Sequence, residues 1–299
     1  MKLIVSITNM IDGYQGYLHP DRVATHGDGH VDSFPDGELK VERREGDDYS
    51  KLRQLNPLLP ENPPANAKLI APRIASLCPR SAHTDYMVSL VDEVTRKYKI
   101  DAVTADYIRY SGNSPLLCHC KNCTEAFAIK YPGGKIPGNA WFDFREESIL
   151  AFARRFHDAA KKNRPAVLTG WYSILFLHDV SRKKVAQQWN GMSEIFDISI
   201  PMLYPYLVAS EQQGRKGKFV GDINFWIAKW LMKRRFHEFA GDSQVLAITN
   251  SIECSARELI QQCRAFDYGH GISVFIYQGT TETQWNALKE YSKELYGKN

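Results

Sequence analysis

No run in this chain approaches the roughly 18 consecutive apolar residues that a membrane-spanning helix needs, so no membrane partner is expected. The opening "MKLIVSITNMIDGYQGYL" has one Lys and an apolar run too short for a secretory leader. As written, the chain is expected in the cytoplasm; it is expected to be secreted if a preceding segment has been removed. The sequence has no G-x-G-x-x-G, no P-loop and no G-x-S-x-G, which takes local support from nucleotide binding and serine hydrolysis. It also lacks a strong charge of one sign, with a formal net charge of +4. Its basic clusters, Lys161-Lys162, Arg182-Lys183-Lys184 and Lys233-Arg234-Arg235, are scattered rather than gathered in one stripe. They read as solvated faces, and no nucleic acid is expected as a partner.

What is present is a chain of 299 residues, 43% hydrophobic and 24% charged, the balance of a globular enzyme. That length suits one large α/β barrel or two ordinary domains, with a core that needs no staples. Aromatics are plentiful, with 15 Tyr, 14 Phe and 6 Trp. Rings of this kind fill cores, and they also stack on sugar faces.

From residue 84 onward apolar patterns alternate between helical and extended periods. Helices are predicted at 84–98, 142–163, 181–192 (with Ser181 as N-cap), 222–239, 255–266 and 281–295, and strands at 101–108, 166–172, 196–204, 244–250 and 271–277. Near-continuous apolar strands between helices predict a parallel sheet covered on both faces. The fold class is therefore α/β, a (β/α)8 TIM barrel over a single domain, residues 1–299. Its start is less regular. Strands are predicted at 2–8 and 68–77, separated by a long irregular insertion around 12–66 with a hairpin at "GELKVERR". That makes seven candidate strands, so the barrel is expected to be incomplete at its N-terminal end.

Barrel chemistry sits at the carboxyl ends of the strands. That rule selects Asp106, Tyr107 and Arg109 after the strand at 101–108, then Trp171 and Tyr172, Met202 and Tyr204, Asn250 and Glu253, and Tyr277 and Gln278. Asp101 and Asp197 precede their strands and read as structural.

"DAVTADYIRYSG" (101–112) resembles the "DGIHLDYIRYP" strand of a glycoside-hydrolase-like TIM-barrel family near the alpha-amylase superfamily. "SLCPRS", "CHCKNCTEAF", "WFDFREESI", "DISIPMLY" and "GISVFIY" are similar to that family in the same order, over roughly residues 68 to 295. The family's Gly-Ile-His is Val-Thr-Ala here, which removes a mouth-facing His, and residues 20–66 match nothing in it. The resemblance implies a glycosidase with Asp106 as one of the two carboxyl groups that glycoside cleavage needs. The alternative is that Asp106 only pairs with Arg109; in the catalytic reading Arg109 is expected to hold it ionised, as suits a nucleophile or base. Glu253 is the partner acid of choice, or else a helix-start acid answering the dipole. Asp179 is the runner-up, followed by Asp28 and Asp32. Tyr107, Arg109, Trp171, Tyr172, Tyr204 and Tyr277 are the substrate-binding candidates, with ring packing as the alternative for the aromatics.

Cys118, Cys120 and Cys123 form C-x-C-x-x-C, and Cys78 precedes Pro79 on the preceding element. Neighbouring barrel loops could bring the four together as a structural zinc site, with His119 able to replace one ligand. Disulfides and free thiols stay open as alternatives. Cys254 and Cys263 read as buried thiols. "HGDGH" (26–30) is a weaker metal candidate. The leading expectation is a glycoside hydrolase acting on a poly- or oligosaccharide. Its rivals are a non-catalytic carbohydrate-binding barrel and a metal-dependent hydrolase.

Overall fold

A computed structural model describes residues 2–12, 15, 19–25, 40–42, 68–70, 76–110, 116–174, 178–206, 217–268, 270–275 and 277–297. The chain forms two compact units, Met1–Val167 with Arg182–Gln187, and Leu168–Ser181 with Gln188–Asn299.

The first unit holds β1 (Ile4–Thr8), β2 (Lys40–Glu42), β3 (Lys68–Ile70), α1 (His83–Lys97), β4 (Ala102–Asp106), α2 (Lys121–Lys130) and α3 (Asn139–Asn163). β1 and β4 pair in parallel, with Thr8 opposite Asp106. β4 is buried along its length until Asp106, as its apolar sequence requires. β1 is half open, with Ile4 44% exposed, which fits a barrel that is incomplete at its start. α3 buries Trp141, Phe144, Phe152 and Phe156 at helical spacing, and it packs on α1.

The predicted strand at 68–77 is corrected. Lys68–Ile70 pairs antiparallel with Lys40–Glu42, outside the parallel sheet, while Ser76 and Leu77 bridge to Ile11 and Val23. The partner of Lys40–Glu42 is therefore distant in sequence, and the rest of the hairpin predicted at "GELKVERR" lies outside the described residues.

α4 (His178–Val185) runs across the boundary between the units. The second unit continues with β5 (Leu168–Ile174), α5 (Trp189–Ile195), β6 (Ile198–Leu203), α6 (Gly217–Ala240), β7 (Gln244–Val245), β8 (Ala247–Asn250), α7 (Ala256–Phe266), β9 (Ile272–Phe275) and α8 (Glu282–Tyr296). Its strands are all parallel. β6 lies against β5 on one side and against β7 and β8 on the other, and β8 pairs with β9. The predicted strand at 244–250 is thus interrupted at Leu246.

The helix predicted at 181–192 is two helices, parted at Ala186, whose φ of 56° no helix tolerates. Ser181 is not an N-cap, since α4 begins at His178; it lies buried within the helix. Sequence signals elsewhere hold. Ser255 caps α7 through a reciprocal box with Glu258, and Thr281 caps α8 with Gln284.

Asp101 and Asp197 do the structural work expected of them. Asp101 accepts from Leu3 N at 2.8 Å and Lys2 Nζ at 3.0 Å, tying the amino ends of β1 and β4. Asp197 accepts from Thr169 N at 2.7 Å and Thr169 Oγ1 at 3.0 Å, doing the same for β5 and β6. Among the described residues the parallel strands occupy six positions, counting β7 and β8 as one. An α/β barrel with fewer than its eight strands is the resulting fold class.

Candidate metal centre and carboxylate site

The four cysteines converge. The Sγ atoms of Cys78, Cys118, Cys120 and Cys123 all lie within 4.8 Å of one another. Cys78 Sγ is 3.4 Å from Cys123 Sγ and 3.5 Å from Cys120 Sγ. Those separations exceed a disulfide bond of about 2.05 Å, and all six cysteines of the chain are free. Both separations lie a few tenths of an ångström under the sulfur–sulfur edge of about 3.8 Å that a tetrahedron with 2.3 Å metal–sulfur bonds requires.

The backbone supports charge on these sulfurs. Thr25 N donates to Cys118 Sγ, Arg80 N to Cys78 Sγ and Cys120 N to Cys118 Sγ, each at 3.4 Å. Cys78, Cys118 and Cys123 are fully buried, and Cys120 is half-buried. Without a cation the four cannot ionise together. Hydrogen bonds from its neighbours' thiols hold the Cys120 thiol low, while Cys78's own contacts with Cys118, Cys120 and Cys123, and then burial, hold Cys78 high. A divalent ion removes that conflict.

His119 takes no part in this set. Its Nδ1 is 2.5 Å from Leu116 O, and its ring lies 5.4 Å from Trp141. Trp141, Phe144 and Phe127 form an aromatic floor, with ring centroids 5.1–5.6 Å apart. Four sulfurs fill a tetrahedron and leave no position for water, so the arrangement suits a structural ion. "HGDGH" lies outside the described residues.

Two residues beside the cluster were not singled out by sequence. Tyr110 is buried, and its hydroxyl is pushed up by burial and then by Cys123 and Cys78. Arg145, also buried, has its guanidinium carbon 4.5 Å from the Tyr110 ring centroid and donates to Lys183 O and Lys184 O. Burial lowers Arg145 to about 10, with Tyr110, Cys118 and Cys123 opposing. No sequence motif marks either residue, because only the fold brings them to the thiols.

Asp106 ends β4 in the same unit. It is half-buried, and its Oδ1 accepts from Tyr107 N at 2.7 Å. Its pKa is raised, because burial outweighs the Tyr107 N–H and the Arg109 charge. The expectation that Arg109 holds it ionised is corrected accordingly. Arg109 acts in the expected direction, but it spends its own cation over the Tyr107 ring, 4.2 Å from the centroid. Tyr107 has a φ of 49°, an uncommon left-handed conformation for a residue with a side chain.

Asn9 was missed by sequence, although the strand-end rule applies to it as the residue after β1. Its buried amide donates to Ile7 O at 2.7 Å and to Asp106 O at 2.8 Å, clamping the backbone of Asp106. His83 Nε2 sits 2.7 Å from Asn9 O, and burial lowers its pKa.

The remaining candidates belong to the second unit. Glu253 is exposed, in the turn between β8 and α7, with a φ of 57°. Gln284 Nε2 holds that turn by donating to Ser251 O at 2.7 Å and Cys254 O at 2.8 Å. Trp171 is fully buried and donates to Ser199 Oγ at 2.9 Å, so its indole presents no face to solvent. Tyr172 is half-buried. Tyr204, also half-buried, lies 5.6 Å from the Phe275 ring. Tyr277 is 76% exposed, 5.2 Å from the ring of Trp285, which sequence reading passed over. Asp28, Asp32 and the side chains of Asp179 and Gln278 lie outside the described residues. Cys254 and Cys263 are pushed up to about 11 and about 12 by burial, as inert thiols would be.

No family model matches the chain. No curated protein sequence matches it either. Solved structures do. The chain is similar to a beta-galactosidase from Marinomonas ef1, with a TM-score of 0.63 and 10% identity over 99% of this chain and 50% of that one. It is similar to a beta-galactosidase from Halorubrum lacusprofundi, with a TM-score of 0.61 and 12% identity over 98% of this chain and 48% of that one. It is also similar to alpha-L-fucosidase isoenzyme 2 from Paenibacillus thiaminolyticus, with a TM-score of 0.57 and 13% identity over 100% of this chain and 38% of that one. The chain spans half or less of the length of these proteins. At such identities the likeness is one of fold, a barrel of the kind glycoside hydrolases use.

Proposed function

We propose that the chain is a glycoside hydrolase that cleaves a poly- or oligosaccharide, with Asp106 as its proton-donating carboxyl and a structural zinc ion on Cys78, Cys118, Cys120 and Cys123. The observation that carries the reading is Asp106 itself. It ends a buried parallel strand, is clamped by Asn9 through its backbone, and has a raised pKa from burial. A carboxyl whose pKa burial raises is shifted in the direction that suits a general acid. Glu253, at the end of β8 and open to solvent, is assigned as the second carboxylate, acting on water or on the sugar. Tyr107, Arg109, Tyr172, Tyr204 and Tyr277 are assigned to hold substrate. Trp171, fully buried and bonded to Ser199, is assigned no contact with substrate. The fold of the similar structures supports the substrate class. A metal-dependent hydrolase finds no support at the cysteines, where sulfur fills every coordination position.

The test is Asp106→Asn, close to isosteric, assayed against the parent on a panel of neutral and acidic polysaccharides. Loss of a general acid lowers kcat by roughly 10²–10⁴-fold. Full turnover in the variant would make Asp106 a structural residue and end the mechanism. A parent that binds glycans without cleaving any would instead establish the carbohydrate-binding reading.

A further inference from the structure

α6 is apolar on more than one side. Ala228, Leu231 and Met232 are buried, yet Ile223, Trp226, Ile227 and Trp230 stand 43%, 63%, 54% and 54% exposed. Their spacing of three and four residues makes one continuous stripe. A helix that is apolar all round is normally covered all round. Exposed apolar stripes of this kind mark interaction surfaces.

We infer that this stripe is an interface between two copies of the chain, formed by antiparallel pairing of α6 with α6 of a second copy about a two-fold axis near Ala228. The order of residues along the stripe carries the inference. Antiparallel two-fold pairing sets each residue before Ala228 opposite one equally far beyond it, and every contact occurs twice. Trp226 then meets Trp230 of the second copy, and Trp230 meets Trp226 of the second copy. At the ends, Asp222 meets Lys233 and Arg234 of the second copy, opposite charges on both sides of the axis. At about 100° per residue, Asp222, Trp226, Trp230, Lys233 and Arg234 all fall within an arc of about 120° on the helix.

Asp222 is fixed for this role. Tyr206 donates its hydroxyl to Asp222 Oδ1 at 2.8 Å, which holds the carboxylate at the start of the stripe. Lys229 Nζ and Arg234 Cζ sit 5.2 Å and 5.5 Å from the ring centroids of Trp226 and Trp230. A parallel pairing would set Lys229, Lys233 and Arg234 against themselves, a repulsive register. An anionic surface would meet Asp222 as a like charge. The mixed signs at the two ends therefore match the stripe to itself.

The experiment is sedimentation analysis of the full chain, with melting curves as the fold control. The parent is expected to dimerise at concentrations up to about 0.1 mM, within reach of an ordinary interface of micromolar affinity or better. Trp226→Ala with Trp230→Ala is expected to leave a folded monomer. Lys233→Asp with Arg234→Asp is expected to weaken the dimer about tenfold, and adding Asp222→Lys is expected to restore it. Asp222→Asn keeps an acceptor for Tyr206 and serves should Asp222→Lys disturb the fold; it is expected to weaken the dimer alone. A parent that stays monomeric overturns the inference, as does a dimer indifferent to both tryptophans or a charge reversal that fails to rescue. A monomer that sediments with vesicles of anionic phospholipid also overturns it and assigns the stripe to lipid. Asp106→Asn should dimerise like the parent, so the outcome is independent of the hydrolase reading.

Discussion

Removing the metal from the four-cysteine centre is a perturbation whose size follows from the chain path. Cys78 and Cys118 are separated by about 40 residues, and a metal that stays on the chain would close that loop as a cross-link does, which sets the scale of the effect. Loop-closure entropy for a cross-link of that span amounts to about 4 kcal/mol. The Cys118–Cys123 segment adds little, since its sulfurs are already close in sequence. For a unit of this size, about 4 kcal/mol corresponds to a fall in Tm of roughly 8–16 °C. The assay is calorimetry before and after dialysis against a strong chelator, with zinc added back to the stripped protein. Metal content is measured in parallel, with one ion per chain expected. Thiolate ligands must be deprotonated, so acid releases the ion and the stripped and loaded curves should converge at low pH. A chain purified without chelator that carries no metal, or a Tm that chelation leaves unmoved, would refute the reasoning and return the four residues to the status of packed thiols.

Three further outcomes are expected. Asp106 has a folded pKa above its ordinary value of 3.8, so the folded state binds this proton more tightly than the unfolded chain does, and stability drops as pH rises between the two values; Asp106→Asn should therefore melt higher than the parent at neutral pH, with the gap closing below 3.8. Gly221→Ala would drive a methyl into Tyr206 Cδ1, forcing that ring aside at a cost of about 1–3 kcal/mol by melting. Gln284→Leu removes the donors to Ser251 O and Cys254 O and should cost about 1–3 kcal/mol for each carbonyl left buried, whereas the exposed Lys289→Ala should cost almost nothing.

Much of the barrel was legible because its strands and helices differ in period, and because their boundaries carry local chemistry. Ser255 and Glu258 announce α7, and the acids before β4 and β6 are readable as strand clamps. What escaped was set by distant partners. "KLIAPRIASL" reads as one strand, yet its first residues pair with Lys40–Glu42 and its last with Ile11 and Val23, none of them neighbours in sequence. The break at Ala186 has no Gly or Pro to mark it. The convergence of the cysteines was legible as one of three open arrangements, because Cys78 before Pro79 and the C-x-C-x-x-C fall on adjacent barrel loops; that the thiols are free and close together came only from the fold. The direction of the Asp106 pKa was not. The nearby Arg109 suggested a lowered value, and only the burial of the carboxyl reverses it. On α6, the triple Lys233-Arg234-Arg235 drew attention to charge and away from the exposed tryptophans one turn earlier.

Asp106 and Cys118 lie on one short stretch of chain, and the first unit holds that stretch at both ends. β4 ends at Asp106, and the chain must leave the strand without burying that carboxyl completely. Tyr107 turns it through a left-handed conformation, Arg109 folds back over the Tyr107 ring, and Tyr110 N ties to Val185 O at 3.0 Å. That is one fixed end. The other is the cluster, where Cys118 accepts from Thr25 N and His119 N donates to Thr25 O at 2.7 Å. A loop pinned at both ends has fewer conformations to lose when a ligand orders it. A hydrophobic contact could pin it too, but beside a carboxyl with a raised pKa additional apolar burial would push that pKa further up. An ion on the four sulfurs would anchor the far end of the loop without adding apolar surface over Asp106. On the hydrolase reading proposed above, the thiols would bear on the chemistry through that far anchor, and Asp106 would bear on it directly.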